Sequence, residues 1–166
     1  GGGEGGKNIL SRNWKNVAVD YTMREYLKKI SLGEKDIMGL TDYRNTHEIL
    51  SHCDALLSPL STIILESWMH GKPALCLLPQ EDQSQHFIND SRLTHFQDLF
   101  KMAELVISRG KVDLIPKTKE LMDMTRVTEL GKRLRQSSEY FVSMNNEPYG
   151  KRLHDFIKFS VVDKKT

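Results

Sequence analysis

Apolar residues follow two spacings along the chain. Met23, Tyr26, Leu27 and Ile30 recur at intervals of three and four, which predicts one face of a helix, and Gly33 stands where that helix stops. The stretch before it, Val17 to Asp20, is short and β-branched and predicts a strand. "DIMGL", Asp36 to Leu40, predicts a second short strand, and "TDYRNTHEILSHC" a helix with Ile49 and Leu50 turned inward. The unit then recurs. "DALLSP" predicts a third strand, Ser61 to His70 a helix closed by Gly71, and "PALCLL" a fourth strand, apolar throughout.

Beyond Pro79 the polar "QEDQSQHFINDS" predicts a loop, "THFQDLFKM" a helix, and "ELVISRG" a fifth strand at the sheet edge. Two helices complete the pattern. One runs from Lys117 to Tyr140 with Leu121, Met124, Val127 and Leu134 near helical spacing; the other runs from Tyr149 to Phe159 with Leu153, Phe156 and Ile157 on one side. Strands joined by helices run parallel, and continuous apolar runs suit strands covered on both faces. The expected class is α/β: a three-layer αβα, Rossmann-like domain whose mainly parallel, doubly wound sheet has about five strands. Residues 1–8, "GGGEGGKN", have the composition of a flexible leader, which leaves 9–166 as a single domain.

Composition narrows the function classes. The chain has 166 residues, 39% hydrophobic and 28% charged, with a formal net charge of +2. A core is affordable at that length, and the near balance of charge argues against a nucleic-acid partner. The longest apolar runs, such as Ala74 to Leu78, fall far short of a membrane span. Two cysteines, Cys53 and Cys76, do not make a disulfide scaffold and suit a reducing, cytoplasmic setting. His47 and His52 lie five apart, off a shared helix face, and no C-x-x-C or H-x-x-x-H spacing occurs, so no metal site is expected. From Lys117 onward, eleven Lys/Arg face seven Asp/Glu. That excess is read as a solvated helix face, or as a peripheral contact with anionic lipid or with a partner domain.

"SPLSTIILESWMHGKPALCLL" holds the candidate chemistry. In doubly wound sheets ligands collect beyond the carboxyl ends of strands, and the first N–H groups of a helix there favour an anion such as a diphosphate. Ser61 and Thr62 add hydroxyl donors. Glu66 follows Thr62 by four residues, about one turn or ~5 to 6 Å along the same helix face, and a carboxylate suits the vicinal hydroxyls of a ribose. The plainer alternative makes Ser61 an ordinary N-cap and Glu66 a carboxylate satisfied by solvent or a nearby lysine.

The segment "HEILSHCDALLSPLSTIILESWMHGKPALCLL" resembles the nucleotide-sugar-binding segment in the C-terminal domain of GT-B glycosyltransferases, and is especially similar to bacterial polysaccharide and CDP-glycerol-type transferases. Non-hydrolysing UDP-sugar epimerases share the design, with glycines in place of Ser61 and Thr62. The resemblance implies that Ser61 and Thr62 hold a diphosphate, that Glu66 binds ribose and that Gly71-Lys72-Pro73 turns the chain into the next strand. It also implies that the loop "LLPQEDQSQHFIND" contacts the donor, with Gln85 and His86 as candidates beside the plain reading of a solvent loop, and that the turn Gly39 to Asp42 holds the base through backbone groups. The ending "YGKRLHDFI" is similar to the family's closing helix.

The implied function is the donor-nucleotide-binding half of a transferase of cell-surface polysaccharide synthesis. Its acceptor-binding N-terminal half is expected to be missing, so the fragment binds a nucleotide sugar without turnover. Helix dipole and hydroxyls stabilise the diphosphate, so no cofactor is expected. The catalytic base has no assigned residue. The final helices are expected to pack partly against the absent half and so to expose Phe156 or Phe159. The rival readings are a sugar-nucleotide epimerase domain and a non-catalytic binding or assembly module.

Overall fold

The computed structural model describes residues 14–33, 43–78, 94–142 and 147–162. The chain divides into two compact units, 1–47 and 48–166. In the first, α1 (Tyr21–Ser31) starts where the Asp20 carboxylate accepts a 3.0 Å hydrogen bond from the Met23 amide. It ends at Gly33, whose φ of +80° suits the position after a helix and whose N–H donates back to Ile30. Val17 to Asp20 is not a strand: the segment has no regular structure and no strand partner among the described residues, and Val17 is exposed. β-branched residues favour a strand only when a neighbour accepts the ladder. The strand expected at Asp36 to Leu40 lies outside the described residues.

Helix α2 (Tyr43–His52) leads into the second unit. Leu50 points inward at 2% exposure, whereas Ile49 is 55% exposed, against expectation. Adjacent helical residues lie about 100° apart, so one helix rarely buries both.

A parallel sheet follows, built from β1 (Leu56–Pro59), β2 (Ala74–Leu77) and β3 (Val106–Ser108) in that spatial order. Between them run α3 (Ile63–Met69), α4 (Thr94–Gln97) and a 3-10 turn (Leu99–Lys101). The strand expected in "ELVISRG" is an edge strand as anticipated, but the sheet has three strands among the described residues, not five. The architecture fits the Rossmann-like class.

Successive residues of β2 point to opposite faces, and each face has its own core. Ala74 and Cys76 join Ile64 and Trp68 of α3, Phe96, Leu99 and Leu105, and Leu130 and Leu134 of α6 (Leu130–Glu139). Leu75 joins Val106 and, on the far side, Leu121 of α5 (Lys111–Met124). Helices therefore cover both faces. Trp68 is wholly buried, and its indole N–H meets no acceptor among the described residues. Burial also pushes the Cys76 thiol up to about 12, which keeps it protonated and inert.

α3 ends in a well-specified turn. The Gly71 N–H donates to Trp68 and the Lys72 N–H to Ser67, with Gly71 at φ +71°. A side chain on Gly71 would also collide with the Arg135 guanidinium and approach the Gly131 carbonyl oxygen at 3.0 Å.

The single helix expected from Lys117 to Tyr140 is two. α5 begins earlier, at Lys111, and α6 follows a break at Thr125 to Glu129. Pro116 sits inside α5, where its missing N–H forfeits one intrahelical bond, so the proline concealed the true start. The last helix, α7 (Tyr149–Val162), leaves Phe156 70% exposed; the side chain of Phe159 lies outside the described residues.

Candidate functional site

Pro59 pairs with Leu77, and Leu77 with Ser108, so one row of residues marks the carboxyl end of all three strands. Three chain segments leave the sheet there. Leu60 to Thr62 leads into α3, the residues after Leu78 lead into the stretch carrying Gln85 and His86, and Arg109-Gly110 leads into α5. This is the side of a parallel sheet where ligands gather.

Ser61 is half-buried, Thr62 exposed and Glu66 half-buried. The Glu66 amide donates to the Thr62 carbonyl at 3.3 Å, so the turn between them is closed and both side chains lie on one helix face. Ser61 Oγ stands 3.5 Å from the Ile63 amide, long for a cap, and Thr62 makes no side-chain capping bond. Ser61 is thus held to the helix start by one long bond that it accepts, and the Thr62 hydroxyl is not committed there. The Glu66 carboxylate makes no hydrogen bond or ion pair among the described residues, so the alternative in which a lysine holds it has no such lysine there.

α3 is shorter than the expected Ser61 to His70. Its seven residues, Ile63–Met69, align fewer peptide dipoles, so hydroxyls and carboxylate carry more of any recognition than the dipole does. Gln85 and His86 lie outside the described residues, as does the turn Gly39 to Asp42.

The neighbouring helix start is differently built. The Asp113 carboxylate accepts hydrogen bonds from Ser108 Oγ at 2.8 Å, from the Arg109 amide at 3.0 Å and from the Gly110 amide at 3.2 Å. The bond from the Arg109 amide, then that from the Ser108 hydroxyl, lowers the Asp113 pKa below its ordinary value. Sequence reasoning passed over this residue, although Gly110 followed three places later by an acid is a legible helix start. It also passed over Arg109, an exposed cation at the same end of the sheet.

Two cavities lined by described residues lie elsewhere. One of about 510 Å³ runs beside Leu57, Leu114, Ile115 and Met122 on the flank of α5, and one of about 150 Å³ lies by Asp54, Gly71 and Lys72 at the opposite end of the strands. Neither touches Ser61, Thr62 or Glu66. A large pocket is the usual first guess for a site, but the first is an open flank groove and the second is too small for a nucleotide. The carboxyl end of the sheet is the better candidate on chemistry, since it gathers two hydroxyls, a carboxylate without a partner among the described residues and a cation. No group of three or more His, Cys, Asp or Glu able to hold a metal occurs among the described residues. In comparisons with known proteins, no family model, no curated protein and no solved structure matches the chain.

Proposed function

We propose that the chain is the donor-binding half of a GT-B-type glycosyltransferase and holds a nucleoside diphosphate sugar beyond the carboxyl ends of β1 and β2. The observation that carries this reading is Glu66: a half-buried carboxylate without a partner among the described residues, one turn after Thr62 on the helix that leaves β1. A carboxylate with open acceptor positions at this point suits the two vicinal hydroxyls of a ribose. Thr62, which makes no capping bond, and Ser61, whose hydroxyl proton is not used by the bond it accepts, then donate to the diphosphate.

Arg109 extends the same site. Neighbouring strands lie about 4.8 Å apart, so the ends of β1 and β3 are about 10 Å apart, a gap that an arginine side chain and a diphosphate together span. A guanidinium there offsets negative charge as the diphosphate leaves. The acceptor and the general base come from a second domain on the cytoplasmic side, where polysaccharide precursors are assembled, so the chain alone binds but does not turn over.

Thermal melting with UDP, GDP, CDP and ADP tests the reading. One of the four is expected to raise the melting temperature, since a ligand at about a hundred times its Kd adds about 2.7 kcal/mol. No response to any of them, at millimolar concentration, overturns it.

A further inference from the structure

Independently of the donor reading, we propose that α7 lies flat in the surface of an anionic membrane. Tyr149, Leu153, Phe156 and Ile157 are all exposed, Phe156 and Tyr149 by 70% or more. At about 100° per residue they fall within one arc of roughly 100° on the helix circumference. None of the described side chains of α7 is buried, and the helix has no substantial packing against another described element. Such a face is normally covered.

Charge selects the cover. α7 carries Lys151, Arg152 and Lys158 against Asp155, an excess equal to the +2 of the whole chain. By the same helical geometry Arg152 borders the apolar arc on one side and His154 lies beyond it on the other, while Lys151 and Lys158 stand on the opposite, polar face. A second copy of the helix, packed face to face, would cover the apolar arc and leave Lys151 and Lys158 facing water, with no use for the charge. A polar face rich in Lys and Arg opposite an aromatic and aliphatic face is the pattern of an interfacial helix, whose apolar arc enters the acyl boundary while Arg152 and the long stems of Lys151 and Lys158 place their charges among anionic headgroups. Fourteen residues make a helix of about 21 Å, too short to cross the ~30 Å hydrocarbon layer, and no helix among the described residues is long and apolar enough to span it.

Co-sedimentation of the full chain with vesicles of phosphatidylcholine alone, and of phosphatidylcholine mixed with phosphatidylglycerol, tests this. Binding is expected on the mixed vesicles and not on phosphatidylcholine, weakened at least tenfold by Phe156→Ser and roughly tenfold by Lys158→Glu, and reduced by added salt. Neither substitution touches the core, and circular dichroism checks that the fold survives. Should Phe156→Ser lose helix, Lys158→Glu at its exposed position decides the matter. No binding to either vesicle, or equal binding to both with no effect of Lys158→Glu, overturns the proposal. So does a dimer in sedimentation velocity that Phe156→Ser abolishes while vesicle binding is absent, which assigns the face to a second copy instead.

Discussion

Two helices start at the same end of the sheet and solve the same problem in opposite ways. α5 follows β3, and its exposed amides are answered from within: the Asp113 carboxylate reaches back to the Arg109 and Gly110 amides and to the buried Ser108 hydroxyl. α3 follows β1, and its start has no side-chain cap beyond a 3.5 Å approach of Ser61 Oγ. A helix start closed by its own acid is structural, because an incoming anion would have to displace a carboxylate. A start left open costs stability unless something else answers it. α3 tolerates this because it is fixed from its other end, by the Gly71 turn and by the burial of Ile64 and Trp68.

That contrast can be broken in order of effect. Gly71→Ala forces a positive φ on a side chain that also meets Arg135 and the Gly131 carbonyl. The positive φ alone is expected to cost about 1 to 2 kcal/mol in chemical denaturation, and displacement of Arg135 adds to it. A loss below half that would show that α3 is not held from this end.

Asp113→Asn comes next, with a fall of several degrees in melting temperature. It also changes the acid limb. The folded pKa of Asp113 is lowered, so its stabilisation is complete above the unfolded carboxylate value of about 3.9 and is lost as pH falls through the lower folded value. Wild type is therefore expected to lose stability more steeply below about pH 4 than Asp113→Asn does. Part of the slope remains in the variant, because Lys101, and then Tyr140, also lower the pKa of Asp98. Parallel acid limbs would remove Asp113 from the account.

Glu66→Gln is expected to leave melting unchanged and to weaken nucleotide binding ten- to hundredfold, the size of a lost charge-assisted pair of hydrogen bonds. A drop in melting temperature with intact binding would make Glu66 structural and α3 another internally answered helix. The smallest effect is that of Thr62→Ala, within ~0.5 kcal/mol in stability because no capping bond is removed. A loss near 1 kcal/mol, the usual cost of removing an N-cap, would show that its hydroxyl does cap α3.

Legibility in the sequence followed whether a signal was local. Gly33 and Gly71 marked helix ends because a positive φ is a property of one residue, and the run Pro73 to Leu78 marked a covered strand because it is apolar at every position, on both faces. Val17 to Asp20 failed because a strand needs a partner that its own residues do not encode. The break between α5 and α6 was hidden because "TRVTE" contains neither glycine nor proline, and α5 runs on through Pro116, a residue that rarely sits inside a helix. At the candidate site, the residue types of Ser61, Thr62 and Glu66 were readable. That Thr62 makes no capping bond and that the carboxylate lacks a partner among the described residues was not, since both depend on distances in the folded chain.

Of the two tryptophans, Trp68 is wholly buried in α3 and Trp14 is 43% exposed. An indole in hydrocarbon, with no acceptor for its N–H, emits at shorter wavelength than one in contact with water, and a soluble quencher such as iodide reaches only the latter. The blue edge of the intrinsic fluorescence thus belongs to Trp68, two residues past Glu66, and α3 carries its own optical probe without a label.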